Sequence, residues 1–70
     1  MNLTNATVGN EYIIKEINTA DSELDTFLFS LGCYQGQPIT VISVIRNAYI
    51  VAIKDARYTI DKELAEAIEI

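Results

Sequence analysis

Apolar residues crowd together at Tyr12, Ile13, Ile14 and Ile17, space out over Leu24, Phe27, Leu28 and Leu31, and crowd again from Ile39 onward. The run Glu11 to Ile17 is β-branched and aromatic and predicts a strand. Both of its faces carry apolar side chains, as in a small barrel whose outside is covered by a helix. Leu24, Phe27, Leu28 and Leu31 fall at i, i+3, i+4 and i+7, a single stripe on a helical period. Ser22 and Asp25, three residues apart, predict a capping box, and acidic Glu23 and Asp25 suit the positive end of a helix dipole. Gly32 stands where a helix commonly stops in a left-handed conformation. Val8-Gly9-Asn10 reads as a turn, and the polar stretch Met1 to Thr7 is expected to pack loosely.

The second half alternates short strands with tight turns. Pro38 opens a strand, a position that tolerates its missing amide donor, and Ile39 to Ile45 continues it. Arg46-Asn47-Ala48 predicts a tight hairpin with Asn47 at positive φ. Tyr49 to Lys54 returns, Asp55-Ala56 turns again, and Arg57 to Ile60 makes a third short strand. Asp61 caps a single helical turn, Lys62 to Ala65. Ala67 to Ile70 alternates as a last strand, which must pair with the first or leave both edges open. The expected fold is mainly β: a small antiparallel barrel of about five strands, with one inserted α-helix and a short C-terminal helical turn.

Composition narrows the function. The 70 residues make one domain, 1–70, and a chain this short buries roughly 60% of its unfolded surface. Hydrophobic residues reach 50%, enough for a folded core and compatible with apolar surface that serves a partner. Cys33 is the sole cysteine and there is no histidine, so no internal disulfide forms and packing must carry the core. Five basic residues against ten acidic ones give a net charge of −5. That balance argues against nucleic acid and against an anionic membrane surface. The N-terminal residues lack the cationic and apolar regions of a secretory signal. The best apolar run, Tyr49 to Ile53, is stopped by Lys54, far short of the roughly 20 residues that span a bilayer. The expected location is the cytoplasm, with no membrane insertion.

The pattern Leu28-Phe29-Ser30-Leu31-Gly32-x3-Gly36-x2-Ile39-x-Val41 resembles the Leu-x-x-Leu-Gly-x-x-x-Gly core of the FeoA family, ferrous iron transport protein A. The likeness runs on through the hairpin to Tyr58-Thr59-Ile60-Asp61-Lys62-Glu63-Leu64-Ala65, and Val8-Gly9 sits where the family has a turn before its first strand. The chain departs from many members in three places. Gln35 stands where they have proline, Arg46-Asn47-Ala48 makes a shorter hairpin loop, and Glu23 and Asp25 replace basic side chains on the helix. A contact built on positive helix charge is therefore not made here in the same way. The resemblance implies an SH3-like barrel and an accessory role in ferrous iron transport, through contact with the cytoplasmic GTP-binding domain of a FeoB-type transporter. It implies no enzyme activity and no cofactor. The same barrel closes iron-dependent repressors, but this chain lacks their DNA-binding domain.

Individual residues divide between surface and structural roles. Phe29 lies about 140° around the helix from Leu24, off the apolar stripe. It is either an exposed anchor for a partner or the flank of a helix covered on both sides. Gly32 and Gly36 are not a phosphate cradle, because Gln37 follows Gly36 where a P-loop needs lysine; they read as a helix stop and a tight turn. Cys33 alone cannot complete a tetrahedral metal site, and Asp21 and Asp25 serve the helix start more simply than a cation. Tyr34 and Tyr49 either line a peptide groove, as tyrosines do in SH3 domains, or pack at the core margin; Tyr58 is expected in the core. With no histidine and no catalytic spacing, general base and nucleophile roles have no candidate. The expected contact residues are Phe29 on the helix, Cys33, Tyr34, Gln35 and Gly36 in the loop after it, and Arg46, Asn47 and Tyr49 in the hairpin. Generic peptide binding and self-association into a homo-oligomer are the alternatives.

Overall fold

Strands form where β-branched residues cluster, and most of the apolar face they share turns inward. In a computed structural model of residues 1–70, strands β1 (Glu11–Ile13), β2 (Glu16–Ile17), β3 (Pro38–Ile45), β4 (Ala48–Ile53), β5 (Ala56–Asp61) and β6 (Ile68–Glu69) are joined by helices α1 (Ser22–Ser30) and α2 (Lys62–Ala67). Four strands make one antiparallel sheet in the order β1-β3-β4-β5, and β2 pairs with β6 in a second. The core gathers Leu3, Ile14, Leu28, Cys33, Ile39, Val41, Val51, Ile53, Ile60, Ala65, Ile68 and Ile70 from every part of the chain. No helix is long and apolar enough to cross a membrane.

The mainly β architecture with one inserted helix is as expected, and the last strand does return to the first. The predicted strand Glu11 to Ile17 is broken, however, at Ile14. There the backbone changes partner: Ile14 N–H donates to the Gln37 carbonyl at 2.9 Å, whereas Lys15 N–H donates to that of Glu69 at 2.8 Å. One half of the run is thus bound to β3 and the other to β6, so the ladder divides into two sheets rather than running as one hydrogen-bonded ring.

The N-terminal stretch is not loose. Leu3–Asn5 form a short 3-10 turn in which Asn2 and Asn5 cap each other reciprocally, and Leu3 is wholly buried. The Ile70 N–H donates to the Met1 carbonyl at 2.9 Å, tying the two ends together. Polar residues there are caps, and a single leucine supplies the anchor.

Both hairpins have two-residue tips, and in both the first tip residue takes the left-handed conformation: Arg46 at φ 58° and Lys54 at φ 56°. Asn47 therefore does not carry the positive φ, and the second turn is Lys54-Asp55 instead of Asp55-Ala56. Side chains with a Cβ pay roughly 1–2 kcal/mol for this conformation, which makes each position a place where the side chain is worth asking about.

Candidate functional site

Helix α1 is capped by Asp21, not by the expected Ser22 box: the Asp21 carboxylate accepts the N–H groups of Glu23 and Leu24. Its end is a Schellman motif. Cys33 N–H donates to the Leu28 carbonyl at 2.9 Å and Gly32 N–H to that of Phe29 at 3.0 Å, with Gly32 at φ 90°. In this motif the residue after the glycine turns back onto the helix, and here Cys33 and Leu28 both enter the core. Of the predicted stripe only Leu28 is fully buried. Leu24 and Leu31 are half-buried, while Phe27 is exposed, so α1 is seated through its C-terminal turn.

That seating corrects the expected contact set. Cys33 is 1% exposed and cannot offer its side chain to a partner. Burial pushes its thiol up from 9.0 to about 12, which leaves roughly a thousandfold less thiolate near neutral pH than an open cysteine has. Alkylation by iodoacetamide at pH 8 is therefore expected to be slow in the native chain and fast in urea; equal rates would place the thiol at the surface. Because the folded value is the higher one, this thiol favours the fold below pH 9, and that contribution is lost as pH rises toward 12.

Phe29 is the most exposed large apolar residue, at 64%. Its ring lies 4.9 Å from that of Tyr34, tilted by 33°, a favourable aromatic geometry. Lys54 closes the group from the β4–β5 turn: its ammonium donates to the Tyr34 hydroxyl at 3.0 Å and lies 5.3 Å from the ring centroid. The aliphatic part of Lys54 rests over Gly32, where an added Cβ would meet the Lys54 stem at 3.5 Å and Ile53 Cγ2 at 3.3 Å. Glycine thus ends the helix and also makes room for the lysine. Leu31 and Tyr58 line the same shallow groove; Tyr58, expected in the core, is instead half-buried and packs against the core from its margin, as Tyr49 does. Gln35 and Gly36 follow at the surface, and Gly36, at φ 90°, donates its N–H to the Ile14 carbonyl at 2.8 Å.

The remaining candidates lie elsewhere. Arg46 and Asn47 are exposed at the β3–β4 tip, beside exposed Val44 and Ile45, and half-buried Tyr49 packs against the core. Strand β4 runs from that tip to the Lys54 turn, so its six residues separate the two groups by about 20 Å at roughly 3.3 Å per residue. Hence the expected contact residues form two patches at opposite ends of β4, not one. Lys54 was missed in the sequence. Its contact with Tyr34 spans 20 positions, and no local pattern signals such a pairing.

The FeoA domain model matches residues 1–70. No curated protein matches the chain. The solution structure of iron(II) transport protein A from Clostridium thermocellum superposes with a TM-score of 0.90 at 25% identity, over 99% of this chain and 43% of that one; this chain thus spans less than half of that relative's length. The crystal structure of an iron uptake regulatory protein, FeoA, matches with a TM-score of 0.86 at 23% identity, over 97% of this chain and 91% of that one. Stenotrophomonas maltophilia FeoA complexed with zinc, described as a prokaryotic SH3 domain protein, matches with a TM-score of 0.86 at 14% identity, over 99% and 87%. The last two likenesses establish the shared SH3-like fold. With the family match running from the first residue to the last, the chain belongs to the FeoA family.

Proposed function

We propose that this chain is an accessory protein of ferrous iron transport that works by contact, docking on the cytoplasmic GTP-binding domain of a FeoB-type transporter and biasing its GTPase or assembly state. Membership in the FeoA family supports the transport setting. The names of its structural relatives, an iron(II) transport protein, an iron uptake regulatory protein and a proposed ferrous iron transport activating factor, agree with it. The observation that carries the docking reading is the Phe29–Tyr34–Lys54 group, an exposed aromatic pair fastened to a cation on a left-handed turn. Aromatic side chains dominate interface energetics when a partner desolvates them. A lysine beside them fits an apolar partner segment that carries a carboxylate, which suits a surface otherwise short of positive charge.

The test is a titration of the isotopically labelled chain with the transporter's cytoplasmic domain, followed by amide shifts. Shifts are expected at Phe29, Tyr34, Gln35, Gly36 and Lys54. Shifts confined to Arg46, Asn47 and Tyr49 would move the contact to the opposite end of β4. No shifts, together with unchanged GTP turnover, would remove the reading.

A further inference from the structure

Strand β5 is paired on one side only. Its register with β4 begins at Ile53↔Ala56 across a two-residue tip, so Ala56, Tyr58 and Ile60 direct their N–H and C=O groups at β4. The backbone groups of Arg57, Thr59 and Asp61 alternate with these and turn outward. No loop, cap or side-chain hydrogen bond takes up their N–H groups, and all three side chains are exposed. Charges on an edge usually block pairing, yet here their order is self-complementary.

We propose that this edge pairs antiparallel with the same edge of a second copy of the chain, centred on Thr59. In that register Thr59 faces Thr59, Tyr58 faces Ile60, and Arg57 faces Asp61 twice. Parity agrees: the residues brought opposite one another with free backbone groups are Arg57, Thr59 and Asp61. The Asp61 carbonyl begins α2, which leaves four bonds, Thr59 N–H to Thr59 carbonyl and Asp61 N–H to Arg57 carbonyl, each made twice. Shifting the register by one residue sets outward groups against inward ones, and shifting it by two leaves an Arg57 or an Asp61 unmatched. The pairing is isologous and uses each edge once, so it closes as a dimer and does not propagate. It joins the two four-stranded sheets into one of eight strands. The edge adjoins the proposed transporter contact, because Tyr58 of β5 lines the groove beside Phe29, Tyr34 and Lys54. The dimer, however, uses the outward backbone groups and the Arg57 and Asp61 charges, which Thr59→Pro and Arg57→Glu test separately.

A contact this short lies below the standard interface size and dimerises the chain only at high concentration. Sedimentation equilibrium is expected to show a dimer at millimolar chain, with Thr59 and Asp61 amides shifting as it forms. Thr59→Pro removes an N–H that no internal bond uses and is expected to abolish the dimer while the rest of the amide spectrum is kept. Arg57→Glu sets like charges opposite one another twice and is expected to weaken association about tenfold. Asp61→Lys does the same, but an equimolar mixture of the two variants pairs opposite charges at both positions and is expected to dimerise. Asp61 also caps α2, so if Asp61→Lys does not fold, the other two variants decide. A strict monomer at millimolar concentration, or a dimer indifferent to Thr59→Pro and Arg57→Glu, overturns the proposal.

Discussion

Leu28→Ala is expected to lower the unfolding free energy by about 3 kcal/mol, the middle of the range for a wholly buried leucine cut to alanine. In a domain of this size the whole margin is only about 3–5 kcal/mol, so the variant keeps about 2 kcal/mol at most and, at the lower end of that margin, about half of it is unfolded at room temperature. Leu28 is 0% exposed and is the only α1 side chain that the core swallows completely. Its carbonyl also takes the Cys33 N–H that closes the Schellman turn. One residue therefore holds both the helix and the chain reversal that follows. Urea melts read by circular dichroism measure the loss. Phe27→Ala is the control: that ring is 46% exposed, and its removal is expected to cost about 0.5 kcal/mol or less. Equal losses from the two variants would mean that α1 is seated along its length.

The sequence revealed the strands, because runs such as Ile39 to Ile45 and Tyr49 to Ile53 have no other way to bury their side chains. It also revealed the helix stop at Gly32 and the cap at Asp61, since both depend on neighbours a few positions away. The division of the first strand at Ile14 was hidden. It arises from competition between Gln37 and Glu69 for adjacent amides, partners that local pattern cannot rank. The burial of Cys33 was legible in principle: once Gly32 is a Schellman glycine, the next residue packs on the helix turn behind it. Apolar spacing alone placed Phe27 in the core, but a helix held by its last turn leaves an earlier stripe residue in water. Phe29 was marked out correctly as lying off the stripe, whereas its companion Lys54 comes from a turn far along the chain. The surface patch was therefore half visible, the half that one helix could show.

Lys54→Gly is expected to move stability and partner binding in opposite directions. Glycine relieves the left-handed strain at φ 56°, a gain of about 0.5–1 kcal/mol after the extra freedom of the unfolded chain is allowed for. The same change deletes the ammonium from the Tyr34 ring and hydroxyl and, on the proposed docking reading, weakens binding of the transporter's cytoplasmic domain about tenfold. Arg46→Gly gives the matched control, since Arg46 occupies the same conformation at φ 58° in the other hairpin, at the far end of β4. It should raise the melting temperature by a similar amount and leave binding unchanged. Calorimetric titration of both variants beside thermal melts reads the two effects separately. Loss of binding with Arg46→Gly alone would put the contact at the β3–β4 tip. Unchanged binding in both would mean that the strain at Lys54 serves no partner, and that the lysine is held over Tyr34 only by the way the turn folds.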